Sequence, residues 1–161
     1  VTGVQTCALP ICSIHGADII VMGPGSLYTS VIPNLLVPGV IDAIKKSNAK
    51  KVYIPNVMTQ PGETEGYNVL DHVEALIKHT EPGLIDCIIA NDEKIPESVS
   101  KRYKEDGSTQ VLLDNEQRLK LKCMGIRTIE SNLIEVKNAY IRHNANEISS
   151  IIVKLALGHD I

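Results

Sequence analysis

The chain is 161 residues long, 43% hydrophobic and 22% charged, and its 16 Lys and Arg against 19 Asp and Glu give a net charge of -3. That length and balance fit one globular domain with a buried core, and the absence of a basic excess argues against a nucleic-acid or anionic-membrane surface. No apolar run approaches the ~20 residues that span a bilayer, so no membrane insertion is expected, and five Tyr with no Phe or Trp leave an aliphatic core and few rings for stacking bases.

Val1 to Cys12 carries no charge, shows no helical or strand period, and lacks the cationic start and long apolar centre of a signal peptide. The stretch looks like the in-frame translation of a sequencing-library adapter joined to a truncated coding read. Residues 1–12 are therefore expected to stand outside the native fold, and residues 13–161 are read as the C-terminal part of a single α/β nucleotide-binding domain. With Cys7 and Cys12 set aside, Cys87 and Cys123 remain, far apart and without metal-ligand spacing, as in a reducing cytosol.

Asp18 to Met22 is a short continuous apolar run, as expected for a strand buried on both faces of a parallel sheet. It stops at Gly23-Pro24-Gly25-Ser26, which neither a strand nor a helix interior accepts. Gly39 to Ser47 places Val40, Ile41, Ala43 and Ile44 on one helical face, with Lys45 and Lys46 in the last turn. Val52 to Ile54 begins the next strand, a polar loop covers Asn56 to Tyr67, and Val69, Val73, Leu76 and Ile77 keep helical spacing to His79. Ile85 to Ala90 is a third strand, and Pro96 opens a helix that stops at Asp106-Gly107. Val111 to Leu113 reads as a short strand, Asn115 to Lys122 as a helix closed by Gly125, and Ile126 to Ile129 as another strand. Leu133 to Val136 and Ala139 to Arg142 flank Lys137-Asn138 as a two-residue hairpin. Asn144 then caps a last helix, Glu147 completes a capping box, and Ile148, Ile151, Ile152 and Leu155 form its apolar stripe.

Alternating strands and helices define an α/β protein, a parallel sheet flanked by helices with a small β-hairpin near the C-terminus. A doubly wound nucleotide domain ordinarily opens with a strand feeding a glycine-rich phosphate turn. Nothing of that kind precedes Ser13, so the sheet is expected to be truncated, the second half of something larger.

The right-handed crossover rule makes the strands at Asp18–Met22 and Val52–Ile54 parallel, so the loops that leave their carboxyl ends share one rim. Ligands bind at such rims in open α/β sheets. In the first loop, Gly23, Pro24 and Gly25 let backbone approach a ligand, Ser26, Thr29 and Ser30 supply hydroxyl donors, and Tyr28 offers a ring. Asn34 follows on the next turn. That set suits a phosphate or pyrophosphate held by neutral donors, or a tight turn whose hydroxyls cap a helix. In the second loop, Asn56, Thr59, Gln60, Gly62, Glu63 and Thr64 form a dense polar array able to read a sugar or base. Glu63, Glu65 and Asp71 are also hard oxygen ligands of the kind magnesium takes, although loop carboxylates are more often simply solvated. His72, between Asp71 and Val73, reads as a packed residue before a general base. The mixed charge run Lys101–Asp106 reads as a solvated helix face.

Ala17 to Val40, containing Met-Gly-Pro-Gly-Ser-Leu-Tyr-Thr-Ser, closely resembles the YvcK-type gluconeogenesis factors, within the superfamily of 2-phospho-L-lactate transferases. Lys51 to Tyr67, containing Asn-Val-Met-Thr-Gln-Pro-Gly-Glu-Thr-Glu-Gly, followed by Asp71-His72, resembles the same family's second signature. The likeness continues through Leu133–His143. It implies a cytoplasmic bacterial protein with a Rossmann-like fold. It also implies binding of a nucleotide-sugar such as UDP-N-acetylglucosamine or UDP-glucose, and a regulatory role in gluconeogenic growth and cell-shape maintenance. A homo-oligomer is compatible with this reading. The alternative is a transferase moving a phospho-group from a nucleoside-diphosphate donor, and magnesium, held by Glu63 or Asp71, enters only there. The transferase relatives carry a sequence closer to Pro-Ser-Asn-Pro at the first loop, so Gly23-Pro24-Gly25-Ser26-Leu27 sides with the regulators. The family's N-terminal phosphate turn and its acidic residues have no counterpart in residues 13–161, which leaves catalytic residues unassigned.

Overall fold

The computed structural model describes residues 8–137 and 140–159. Strands β1 (Ile19–Met22), β2 (Lys50–Tyr53), β3 (Cys87–Asn91) and β4 (Arg127–Ser131) form one parallel sheet in the order β1-β2-β3-β4. Strands β5 (Ile134–Lys137) and β6 (Tyr140–His143) pair antiparallel as a separate hairpin. Helices α1 (Ala8–His15), α2 (Ile32–Leu35), α3 (Val40–Lys46), α4 (Val69–His79), α5 (Glu97–Glu105), α6 (Asn115–Cys123) and α7 (Ala145–Ala156) complete the chain. The expected α/β architecture, parallel sheet and hairpin are all present. No single helix among the described residues is long and apolar enough to cross a membrane.

Strand alternation sends successive side chains to opposite faces and so builds two cores. Met22, Tyr53 and Ile88 meet Ile32 and Leu35 of α2, Ile44 of α3, Val73 and Leu76 of α4, and Leu121 of α6. Val52, Cys87, Ile89 and Ile129 meet Ile148, Ile151 and Leu155 of α7, together with Ile141 of the hairpin. The four parallel strands are neighbours in chain order. Right-handed crossovers between neighbours return on the same side, which gathers α2, α3, α4 and α6 there, while α7, the hairpin and Val99 and Tyr103 of α5 cover the opposite face.

Several elements depart from the sequence reading. β1 is half-buried along most of its length because it has a strand on one side only, and full burial on both faces belongs to β3. Val111 to Leu113 is not a strand. The segment 108–111 instead straps the second loop: Thr59 N–H donates to the Thr109 carbonyl at 2.8 Å, and Val111 N–H to the Val57 carbonyl at 3.0 Å. Lys137, expected in the hairpin turn, instead pairs with Tyr140 at the end of the ladder; Asn138 and Ala139 lie outside the described residues. The capping box expected at α7 is only half formed. Asn144 accepts from Glu147 N–H, but the Glu147 carboxylate takes the Ser131 hydroxyl at 2.7 Å instead of turning back. The reciprocal box appears at α4, between Asn68 and Asp71.

Helix α1 crosses the boundary drawn at residue 12, where no period was expected. Ile11 sets its Cδ1 3.2 Å from where a Cβ on Gly39 would stand, so the helix seats on the entrance to α3. Residues 1–7, including Cys7, lie outside the described residues.

Ile88 is fully enclosed at the centre of the sheet. Ile88→Ala is expected to cost about 2–5 kcal/mol, by lost transfer energy and the cavity left behind. Urea unfolding, read as a fall in midpoint at constant slope, checks this.

Candidate functional site

The Gly23 backbone leaves β1 against β2. A Cβ there would meet the Ile54 carbonyl oxygen at 2.6 Å, and φ is +85°, so only glycine lets the turn pass this close. The chain then winds through a wide turn, Leu27–Val31, in which the Ser26 carbonyl accepts from both Ser30 and Val31 N–H at 2.9 Å. This turn runs directly into α2. The second loop leaves β2 through Pro55 and folds on itself: Thr64 Oγ1 accepts from Gln60 N–H, and Asn56 Nδ2 donates to Gln60 Oε1 at 3.1 Å.

The two loops meet. The Ser26 hydroxyl lies 2.6 Å from each carboxylate oxygen of Glu63. The Tyr28 and Tyr67 hydroxyls share a hydrogen bond of 2.8 Å, with the rings 69° apart. The hydrogen bond to Tyr67, together with burial and the negative charge of nearby Glu63, pushes the Tyr28 phenol up to about 12. The shared rim that crossover topology demands is therefore closed by side-chain contacts.

The predicted residues nevertheless divide among three places. Ser26, Asn56, Thr59 and Gln60 line one cleft of about 500 Å³. Gly23, Pro24, Gly25, Ser30 and Asn34 line a second cavity of about 360 Å³ beside β1, with Leu35 and Ile44 behind them. Tyr28 faces a smaller recess with Tyr67 and His79. Thr29 and Gly62 are exposed, and Glu63 is half-buried against Ser26. Thr64 is fully enclosed with its hydroxyl held by Gln60 N–H, and it shapes the loop instead of facing solvent. Thr59 is similarly buried and anchors the strap, its Oγ1 accepting from Thr109 N–H and its carbonyl from the Ser108 hydroxyl.

The wall opposite the second loop escaped the sequence reading. Tyr103, Ser108, Ile141, Arg142 and His143 complete the 500 Å³ cleft. Lys101–Asp106 is a solvated face except at Tyr103, whose hydroxyl accepts from Ile141 N–H at 2.9 Å and so ties α5 to the hairpin. Arg102 reinforces the tie, its guanidinium 4.8 Å from the Tyr140 ring centre. His143 Nε2 donates to the Pro55 carbonyl at 3.3 Å, joining the hairpin to the start of the second loop. The available signal was positional: the hairpin follows β4 at the same carboxyl end of the sheet as both loops.

Other sequence candidates resolve structurally. Glu65 accepts from Gly62 N–H and Asp71 from Asn68 N–H, so the three acidic residues considered for magnesium are separately engaged. Among the described residues no group of three His, Cys, Asp or Glu side chains is placed to hold a metal ion. His72 is fully buried and packed, its Nδ1–H donating to the Asn68 carbonyl at 2.7 Å and its Nε2 enclosed without a partner.

An open parallel sheet flanked by helices defines an α/β domain, and the polar, partly cationic cleft at the carboxyl ends of its strands stands where such sheets place their ligands. A profile of the family described as 2-phospho-L-lactate transferase CofD matches residues 5–134, and the chain belongs to that family. Gluconeogenesis factors of Halalkalibacterium halodurans and Bacillus subtilis are each 46% identical over 142 residues, 88% of this chain. The matched region makes up 43% and 44% of those relatives, so the chain spans less than half their length. A crystal structure of a Bacillus halodurans protein matches with a TM-score of 0.86 at 44% identity, covering 91% of this chain and 46% of that one.

Burial pushes the His72 and His143 imidazoles below the ordinary imidazole range. Both rings bind protons more weakly folded than unfolded. Stability is therefore fully present above pH about 6.5 and falls as the pH drops below it, when the unfolded chain takes up protons first. Urea midpoints should decrease from pH 8 to pH 5, and His72→Gln should shrink that decrease.

Proposed function

We propose that the 500 Å³ cleft binds a nucleotide-sugar such as UDP-N-acetylglucosamine or UDP-glucose, and that the protein acts as a regulator in gluconeogenic growth and cell-shape maintenance. The observation that carries this is the composition of the cleft. The Asn56 and Gln60 amides and Ser26 line one wall, Val57, Met58 and the Tyr103 ring offer apolar surface, and the exposed Arg142 stands on the other wall. A nucleotide-sugar needs that combination: amides for a base, apolar surface for its plane, a guanidinium for the pyrophosphate, and hydroxyl-accepting groups for the sugar. The two gluconeogenesis factors at 46% identity support the physiological part of the reading, and the protein works on this view in the cytoplasm.

Family membership supports a second reading, transfer of a phospho-group from a nucleoside-diphosphate donor. The two readings separate on turnover: a regulator gives a ligand-induced rise in melting temperature with the nucleotide-sugar recovered intact, and a transferase gives a phosphoester product.

Calorimetry of the chain with UDP-N-acetylglucosamine and UDP-glucose tests the first reading. Arg142→Ala removes a charge-assisted contact worth ~1.5–3 kcal/mol, so affinity should fall about tenfold or more. The wild-type affinity should weaken as salt rises, and the Arg142→Ala affinity should do so less. Binding indifferent to Arg142 would overturn this assignment of the cleft.

A further inference from the structure

The first loop was expected to hold phosphate through Ser26, Thr29 and Ser30 or to cap a helix, and a count of protons argues against the first role for Ser26 and Thr29. Ser26 has one hydroxyl proton, and its oxygen lies 2.6 Å from both oxygens of the Glu63 carboxylate, an acceptor with no proton to give in return. The Ser26 proton therefore goes to Glu63. The Thr29 hydroxyl, 2.5 Å from Ser26 Oγ, must then be the donor of that pair, and Thr29 N–H donates to the same oxygen at 3.4 Å. Both hydroxyl protons are consumed inside the network. What Thr29 and Glu63 still present are oxygen lone pairs, backed by the full negative charge of a carboxylate. A phosphate brought here would meet acceptors and a like charge. A polyol would meet what it requires, because each sugar hydroxyl brings its own proton and carboxylates accept such bonds strongly.

We infer that Glu63, which stands behind Ser26 and is not itself among the lining residues, is a specificity-determining residue for the cleft, marking its Ser26 end as the sugar end and leaving the pyrophosphate to the Arg142 end. The inference rests on the nucleotide-sugar reading and adds a direction to it. Ser26 and Arg142 line the same cleft, one backed by an anion and the other a cation, and a nucleotide-sugar has a matching polarity: a neutral, donor-rich hexose on a doubly charged linker. The clasp also holds its own shape. Ser26 caps the turn Leu27–Val31, and Glu63 lies in a loop pinned by Thr64 and by the Tyr28–Tyr67 bond, so the carboxylate is positioned before any ligand arrives.

The test compares two probes on the same chain, UDP-N-acetylglucosamine and UDP, which differ by the sugar. Glu63→Gln keeps the side-chain shape and removes the charge. The ratio of affinities, nucleotide-sugar over UDP, should fall about tenfold in Glu63→Gln, because a charge-assisted acceptor for sugar hydroxyls is lost. In Arg142→Ala both affinities should fall together with the ratio nearly constant. A Glu63→Gln ratio equal to wild type overturns the inference while leaving the nucleotide-sugar reading intact. A gain in affinity for both probes overturns it too, since the carboxylate would then be an obstacle to phosphate. If the wild type binds neither probe, the nucleotide-sugar reading fails and this inference fails with it.

Discussion

The contact between the Ser26 hydroxyl and the Glu63 carboxylate spans 37 residues of sequence and decides what both rim loops can present. Before it forms, the first loop is a row of hydroxyl donors and the second a row of amides and acids. Once it forms, the Ser26 and Thr29 hydroxyl protons are spent, the acid is fixed, and the two loops are joined at a point with its own electrostatic direction. The Tyr28–Tyr67 bond locks the same junction from the apolar side. Topology alone brings the loops to one end of the sheet, and it takes these two contacts to turn proximity into a surface.

Behind that wall the fold is conservative. Aliphatic strands alternate between two cores, and the buried polar groups are mostly spent on backbone: Asn91 donates to the Glu93 carbonyl and accepts from Leu133 N–H, and Ser108 donates to the Thr59 carbonyl. Each ties a loop to the rim, which is where an open sheet would otherwise be softest. Arg118 makes the analogous tie on the β4 side, with two guanidinium nitrogens on the Glu130 carboxylate at 2.7 and 2.6 Å.

Much of this was legible in the amino-acid order because the relevant forces are local. Apolar runs of four to five residues, helical spacing in Val69–His79 and the Gly23–Ser26 break each report their own backbone, and parallel order follows from handedness. The limits were equally physical. Nothing in Asp18–Met22 announces an edge position, because an edge is defined by a missing neighbour and not by the strand itself. The strap at 108–111 reads as a strand, since a segment bonded to a loop has the same extended backbone as one bonded to a sheet. The protons of Ser26 and Thr29 could be assigned only once Glu63 was known to face them. Arg142 and Tyr103 were invisible as cleft residues because their place there depends on a hairpin folding back over a helix nearly forty positions earlier.

The tyrosines have an optical consequence. The chain has five of them and no tryptophan, and only Tyr53 is sealed in the core. Tyr28 and Tyr67 form the junction between the loops, and Tyr103 and Tyr140 hold the hairpin wall. Near-ultraviolet emission and circular dichroism of the unlabelled protein thus come from these five phenols, of which Tyr103 lines the cleft and Tyr28 and Tyr67 bond across the junction of its loops. The loop junction and the hairpin wall carry their own chromophores, with no indole signal to drown them.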